Sequence, residues 1–268
     1  AIVVEDAVSG VQAGKKGNFG MVLGIAREEN EKELYRSGAD IVVDDIDKIG
    51  FKGLVDWFKK GLEADSWSVA YRDYIPEKEK SRESLLAIGN GYMGTRGAME
   101  EVEAGDHNYP GTYMSGVYNR LISKVSDRDI ENEDLVNCPN WLPVKFRINK
   151  GEWLDANNCE VLEIYRNLEL KTGILYKRMI LKDDSKRKTR VESRRMASMQ
   201  DPHVAAIIYS ITPLNYSGTI TFRSGIDGDL INAGVERYKQ LNQNHLVNVS
   251  EGDKNGKIFV SVRTTQSN

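Results

Sequence analysis

Two architectures follow one another in this sequence: an α/β segment of three strand-helix units over residues 1–64, then an all-β antiparallel sandwich over residues 65–268. Three observations predict this order. Up to Ala64, short apolar runs alternate with apolar stripes at helical spacing, the pattern of βα units around a parallel, doubly wound sheet. From Trp67 onward, extended runs pair off around polar turn clusters, as hairpins do. Between the two, Gly61–Ser68 forms a short polar seam.

In the first segment, Ile2–Val4 is an apolar run of strand length, and Ser9–Lys16 reads as a short helix leaving it. Met21–Ile25 is a second strand. Glu28–Ser37 is a helix stopped by Gly38, which can take the left-handed cap position without a Cβ penalty. Ile41–Val43 is a third strand, ending at Asp44 and Asp45. Phe51, Leu54, Val55, Phe58 and Leu62 then fall at helical spacing and make one apolar stripe.

In the second segment, Val144, Phe146 and Ile148 alternate with polar residues and stop at the turn Asn149-Lys150-Gly151. Ile174–Lys182 and Thr189–Met199 flank the charged turn Asp183–Lys188 as one long hairpin. His203–Thr212 ends at Pro213, and Thr219–Ser224 follows the turn Asn215–Gly218. Asn244–Val249 and Lys257–Thr264 bracket Glu251–Gly256. A series of hairpins this long reads as a large sandwich.

Composition excludes several classes of partner. With 37 Lys and Arg against 40 Asp and Glu, the net charge of -3 at pH 7 gives no global field for nucleic acid or a membrane surface. No apolar stretch reaches the roughly 20 residues of a membrane span, and no charged-then-apolar leader precedes the first strand; the expected location is the cytoplasm. The two cysteines, Cys138 and Cys159, can pair or stay reduced, and neither is assigned a role. His107, His203 and His245 have no metal-like spacing. Because the chain starts at Ala1 inside a sheet pattern, it is expected to be a piece of a longer protein.

Glu5 and Asp6 are the first chemically suggestive residues. Two hard oxygen donors at the carboxyl end of a parallel strand can hold Mg²⁺ beside a phosphate group; alternatively, Asp6 caps the helix that follows. The surrounding stretches, VVEDAVSGVQAGKKGNFGMVLGI and GADIVVDDI, resemble the last third of the Rossmann-like core domain in the haloacid dehalogenase superfamily, particularly its β-phosphoglucomutase branch. That resemblance assigns Mg²⁺ ligation to Asp6 and, directly or through water, to Glu5. It also implies a nucleophilic aspartate, a second aspartate, a phosphate-binding lysine and a cap domain in the missing N-terminal half of the mutase domain. The fragment alone is therefore expected to be inactive, with no cofactor bound.

Residues 67–141 carry the most specific pattern: RESLLAIGNGYMGTRGAMEE, YPGTYMSGVYNRL and EDLVNCPNWLPVKF. Gly89-Asn90-Gly91 and Gly94 permit a tight reversal where backbone approaches closely, and Arg96 brings a fixed charge there. Tyr92, Tyr109, Tyr113, Tyr118 and Trp141 offer flat amphipathic faces suited to sugar rings; equally, such glycines make turns and such aromatics fill cores. Glu100 and Glu101 read as a solvated loop rather than a catalytic pair.

Taken together, these segments closely resemble the N-terminal domain of glycoside hydrolase family 65, whose members include maltose, trehalose and kojibiose phosphorylases. The likeness continues through RNLELKTGILYKRM, VESRRMASMQDPHVAA, ITPLNYSG and IDGDLINAGVERY, and so covers residues 66–268. It implies a super-sandwich of the galactose mutarotase-like kind, truncated here before its last strands and followed in the intact protein by a missing (α/α)6 barrel. It also implies an inverting phosphorolysis in which a glutamic acid of the barrel protonates the glycosidic oxygen while inorganic phosphate attacks the opposite face, giving β-glucose 1-phosphate. No catalytic residue is then expected in this chain, and Asn90, Tyr92, Arg96, Tyr109 and Tyr113 are its candidate substrate contacts. A β-phosphoglucomutase in front of such an enzyme would turn the product into glucose 6-phosphate, and the parent is expected to be a homodimer acting on a disaccharide. A family 65 hydrolase, or a carbohydrate-binding module standing alone, are the other readings.

Overall fold

Strands β1 (Ile2–Glu5) and β2 (Met21–Ile25) run parallel with Val3 opposite Val22, and β3 (Ile41–Val43) joins the other side of β2, again parallel, with Val42 opposite Gly24. Helices α1 (Val8–Lys16) and α2 (Glu31–Ser37) make the two crossovers. This is a computed structural model, and it describes residues 2–17, 19–27, 30–54, 62–64 (backbone alone), 67–125, 127–233 and 240–267. The chain divides into two compact units, Ala1–Arg72 and Asp73–Asn268.

In the first unit, β2 is the middle strand and is covered on both faces. Val22 packs with Val11, Leu34 and Val42, whereas Met21 and Leu23 pack with Ile25, Ile41, Val43, Ile49 and Leu54. Gly38, at φ 109°, closes α2 with its N–H turned back to the Leu34 and Tyr35 carbonyls, as its sequence position predicts. The predicted helix from Glu28 begins at Glu31 among the described residues; 28 and 29 lie outside them. Of the expected stripe Phe51–Leu62, residues 50–54 are helical and 55–61 lie outside the described residues. Leu62 belongs instead to strand β4 (Leu62–Ala64), which pairs antiparallel with β5 (Ser68–Tyr71). Arg72, the last residue of the first unit, forms an ion pair with Asp40 at 3.0 Å.

The second unit opens with helix α3 (Glu79–Leu85) and the small sheet β6 (Ile88–Gly89), β7 (Met93–Thr95) and β8 (Thr112–Met114). A hairpin, β9 (Tyr118–Val125) with β10 (Arg128–Leu135), follows. The main sheet contains β13 (Glu160–Glu169), β14 (Ile174–Lys182), β15 (Lys188–Ala197) and β16 (Ala205–Pro213), each antiparallel to the next. A second sheet has β11 (Val144–Ile148) between β12 (Trp153–Leu154) and β17 (Ile220–Ser224). Their inner faces share one apolar cluster in which Phe146, Ile148 and Leu154 meet Ile164, Met179, Leu181 and Val191. Several antiparallel sheets enclosing a common core fit a β-sandwich. The last hairpin, β18 (Leu246–Lys254) with β19 (Lys257–Thr264), is longer than the sequence suggests, because Asn255 and Gly256 both take positive φ (54° and 71°) and turn the chain in two residues.

Candidate functional site

Helix α3 was invisible to apolar periodicity because the face it buries is charged: Glu79, Arg82 and Glu83 are its buried residues. The reason lies across from it, in the main sheet. Period-two alternation along β13, β14 and β15 turns Arg166, Lys177 and Arg195 inward, none more than 3% exposed. Arg166 stands directly opposite Lys177 in the ladder, a like-charge pair that destabilises a sheet unless anions neutralise it.

Glutamates supply that neutralisation. Arg166 holds Glu79 through two parallel bonds, Nη1 to Oε2 at 2.6 Å and Nη2 to Oε1 at 2.9 Å. Arg82 Nη1 donates to the same Oε1 at 3.2 Å, and its Nη2 to Asp73 Oδ1 at 2.5 Å. Lys177 Nζ donates to Glu100 Oε2 at 2.5 Å and to both Glu101 oxygens at 2.6 Å. Tyr209 donates its hydroxyl to Glu101 Oε1 at 2.6 Å, and Arg195 Nε lies 3.5 Å from Glu100 Oε1. The expectation that Glu100 and Glu101 form a solvated loop does not hold. Each is 1% exposed, because the inward cations need counter-charges and these two acids supply them.

Burial alone would raise both carboxyls. At Glu100 the Lys177 and Arg195 charges outweigh it and hold the group at about 2. At Glu101 burial prevails, reinforced by the neighbouring Glu100 charge, so its pKa is raised despite the shared ammonium. The same burial, together with Glu101, pushes the Tyr209 hydroxyl far up and keeps it a donor. Two acids fixed on one lysine inside a sheet cannot reach a glycosidic bond.

The five candidate substrate contacts separate into two groups. Arg96, Tyr109 and Tyr113 come together beside α3. Arg96 donates Nε to the Tyr109 carbonyl at 2.7 Å, Nη1 to Ser84 Oγ at 2.7 Å and Nη2 to the Lys80 carbonyl at 2.5 Å, with its guanidinium carbon 5.2 Å from the Tyr109 ring centroid. Tyr113 and Tyr109 face each other through their hydroxyls at 3.5 Å. Glu83 completes the group. Its Oε2 accepts the Tyr109 N–H at 2.9 Å and lies 3.7 Å from Arg96 Nη2, while its Oε1 is buried without a hydrogen-bond partner. Burial outweighs the guanidinium, and the carboxyl is pushed up to about 7. Gly111 lies so close that a Cβ there would come within 2.7 Å of Arg96 Cδ.

Asn90 and Tyr92 lie elsewhere. Asn90 is a loop staple: its Oδ1 accepts the Tyr92 and Met93 N–H groups at 3.1 and 3.0 Å, and its Nδ2 donates to the Ser198 and Pro202 carbonyls at 2.7 and 3.1 Å. Tyr92 remains 39% exposed with its ring 4.4 Å from that of His203. Of the five, Tyr92 keeps the most open aromatic surface; Asn90 and Arg96 spend their donors on the protein.

In the first unit, Glu5 and Asp6 stand at the carboxyl end of β1. Asp6 is exposed and pairs with Arg27 Nε at 2.8 Å. It does not cap α1, whose N-cap is Ala7 without any side-chain bond. Glu5 lies against Gly10, where a Cβ would meet its carboxylate at 2.2 Å. The pair supplies two hard oxygen donors, but no group of three ligating side chains is gathered among the described residues, and a cation at Asp6 would have to displace Arg27. His245 is buried between Asn119 and Asp134, with its pKa lowered by burial against the pull of Asp134. Cys138 and Cys159 are both free thiols. No helix among the described residues is long and apolar enough to cross a membrane.

Comparison with known proteins gives a consistent result. The model of "Glycosyl hydrolase family 65, N-terminal domain" matches residues 69–268. An uncharacterized glycosyl hydrolase of Mycobacterium tuberculosis is 37% identical over 203 residues, 76% of this chain and 15% of that protein. A kojibiose phosphorylase of Caldanaerobacter subterraneus is 34% identical over 202 residues, 75% of this chain and 25% of the enzyme. A solved structure from the human microbiome, assigned as a kojibiose phosphorylase, superposes with a TM-score of 0.67 at 22% identity, over 78% of this chain and 27% of that one. The chain thus spans a quarter or less of the curated relatives named here.

Proposed function

Because the chain belongs to glycosyl hydrolase family 65, supplying that family's N-terminal domain, we propose that it is part of an inverting phosphorylase that cleaves an α-glucosyl disaccharide of the maltose, trehalose or kojibiose class with inorganic phosphate, releasing β-glucose 1-phosphate. The observation that carries this reading is the run of phosphorylases among its relatives, kojibiose, trehalose 6-phosphate and maltose phosphorylases included. The locked state of Glu100 and Glu101 agrees with it, since the acid that protonates the leaving oxygen then belongs to another domain, and this one acts as a scaffold. The homodimer expected of the parent belongs to the same reading.

The first unit extends the proposal. Glu5 and Asp6 would contribute to a Mg²⁺ site of a β-phosphoglucomutase, and bound Mg²⁺ would neutralise phosphate charge there. What this chain's own residues do is place two carboxylates at the end of β1 and keep Arg27 on one of them. A mutase in that place would consume the phosphorylase's product.

Disaccharide cleavage by the full-length protein, measured with and without inorganic phosphate, tests the phosphorylase reading. Cleavage is expected to require phosphate and to yield glucose 1-phosphate; equal cleavage in its absence would replace the reading with a hydrolase. For the mutase, Glu5→Ala with Asp6→Ala is expected to abolish Mg²⁺-dependent formation of glucose 6-phosphate and leave phosphorolysis intact. Retained mutase activity in that variant overturns the assignment.

A further inference from the structure

Strand β16 ends the main sheet: β15 pairs with one of its sides, and among the described residues nothing pairs with the other. Which backbone groups face that open side follows from the two ends of the pairing. Ser198 N–H donates to the Val204 carbonyl and Leu214 N–H to the Lys188 carbonyl, both at 2.9 Å, and the register between them is unbroken. Even-numbered positions therefore bond β15, and the N–H and C=O groups of Ala205, Ile207, Tyr209 and Ile211 point to the open side. Such an edge is a template for another strand unless charge, proline or a bulge blunts it. From Ala205 to Thr212 there is none of these. Strand β10 shows the contrast, with Arg128, Asp129, Glu131, Glu133 and Asp134 along it. We infer that the open edge of β16 is a self-association surface, which pairs antiparallel with β16 of a second copy of this chain.

Symmetry and charge choose the occupant and its register. An antiparallel strand meets its own copy across a two-fold axis, so the pairing closes at two chains and needs no second kind of surface. With the axis at Tyr209, Ile207 stands opposite Ile211 of the second copy, and the two exchange both backbone bonds. On the outer face, Arg194 lies beside Ile208 and Glu192 beside Ser210. The same axis sets Ile208 opposite Ser210 of the second copy, so the row that begins at Arg194 ends at Glu192 of the second copy. Moving the axis by one residue, to Ile208 or Ser210, would align Arg194 with its own copy or Glu192 with its own. Charges placed this way set register more than affinity. Both are held on Tyr176, with the Arg194 guanidinium carbon 5.9 Å from its ring centroid and Glu192 Oε1 accepting its hydroxyl at 3.1 Å.

Apolar surface lies where the pairing would cover it. Ile208 is 65% exposed on the outer face. On the inner side, Ile207, Tyr209 and Ile211 stand half-buried at the rim of the core, and Phe222 of β17, 52% exposed, meets the Tyr209 ring edge-on with centroids 6.3 Å apart. An axis at Tyr209 draws both copies of Phe222 toward it and removes this surface from water. Pro213, without an N–H, ends the ladder opposite Ala205.

The inference rests on the edge and not on the phosphorylase reading, so a monomeric chain overturns it and leaves phosphate-dependent cleavage untouched. Sedimentation equilibrium of the 268-residue chain is expected to give twice the 30.2 kDa of one chain at about 100 µM and to approach one chain near about 1 µM, the range of a small interface. Arg194→Glu, at an exposed position, is expected to weaken the dimer about fivefold at low ionic strength, and Arg194→Glu with Glu192→Arg to restore it. In a Cys159→Ser background, Ile208→Cys with Ser210→Cys is expected to give a disulfide-linked dimer on oxidation, since these two positions form a close cross-strand pair only between copies; Ile208→Cys by itself is expected to give none. A single-chain mass at 100 µM, growth beyond two chains, an unweakened Arg194→Glu dimer, or cross-linking by Ile208→Cys as efficient as by the double variant would each overturn the inference.

Discussion

The same three strands build two different interiors. Toward one end, β13, β14 and β15 turn Ile164, Met179, Leu181 and Val191 into an apolar cluster with Phe146 and Ile148. Toward the other they turn in Arg166, Lys177 and Arg195, met by Glu79, Glu100 and Glu101. Both halves are equally dry and obey the same alternation. They differ in what failure costs. An apolar half tolerates loss of a side chain as a cavity, whereas an ionic half that loses one partner strands the others in a low-dielectric interior. The apolar half needs volume; the ionic half needs every member in place.

The largest way to break that contrast is Lys177→Met, which leaves Glu100 and Glu101 without their shared ammonium. It is expected to destabilise the second unit by about 4 kcal/mol in denaturant unfolding. Met179→Ala, in the same strand but the apolar half, should cost about 3 kcal/mol, the cost of a cavity. A smaller loss for Lys177→Met than for Met179→Ala would reverse the ranking and mark the ionic half as accessible to water.

A finer test uses Glu83. Its folded pKa of about 7 stands above the ordinary 4.5, so as pH rises between these values the unfolded chain gives up the proton first. Stability contributed at this position is therefore full below about 4.5 and falls until about 7. Glu83→Gln should flatten that part of the stability profile, read from unfolding midpoints across the range; an unchanged slope would mean that Glu83 is ionised in the fold. The smallest effect is expected at the surface pair Asp6 and Arg27, where Asp6→Ala should leave the unfolding midpoint unmoved, since exposed ion pairs contribute little.

Much of the fold was legible from residue order. Met21–Ile25, Ile41–Val43, Ile174–Lys182 and Lys257–Thr264 emerge as strands with the predicted bounds, because alternation, β-branched runs and Asn or Gly turns act locally. Helix α3 and the β9–β10 hairpin did not emerge. The first buries charge, and the second carries the polar run Arg128–Leu135 in one of its strands. The helix defeats a reading that equates burial with apolarity, and the exposed strand defeats one that looks for apolar alternation. Of the candidate contacts, Arg96, Tyr109 and Tyr113 do converge, but Arg96 is spent on the Tyr109 and Lys80 carbonyls, which no spacing discloses.

Sequence by itself determined the order of architectures, the parallel start, the β14–β15 and β18–β19 hairpins and the family, all of which rest on periodicity, turn chemistry and ordered motifs. Tertiary structure alone decided which charges go inside. Glu79 finds Arg166 across 87 positions, and Glu100 finds Lys177 across 77. A glutamate in isolation belongs in water; only a cation delivered by a distant strand, at bonding distance and away from solvent, makes its burial affordable.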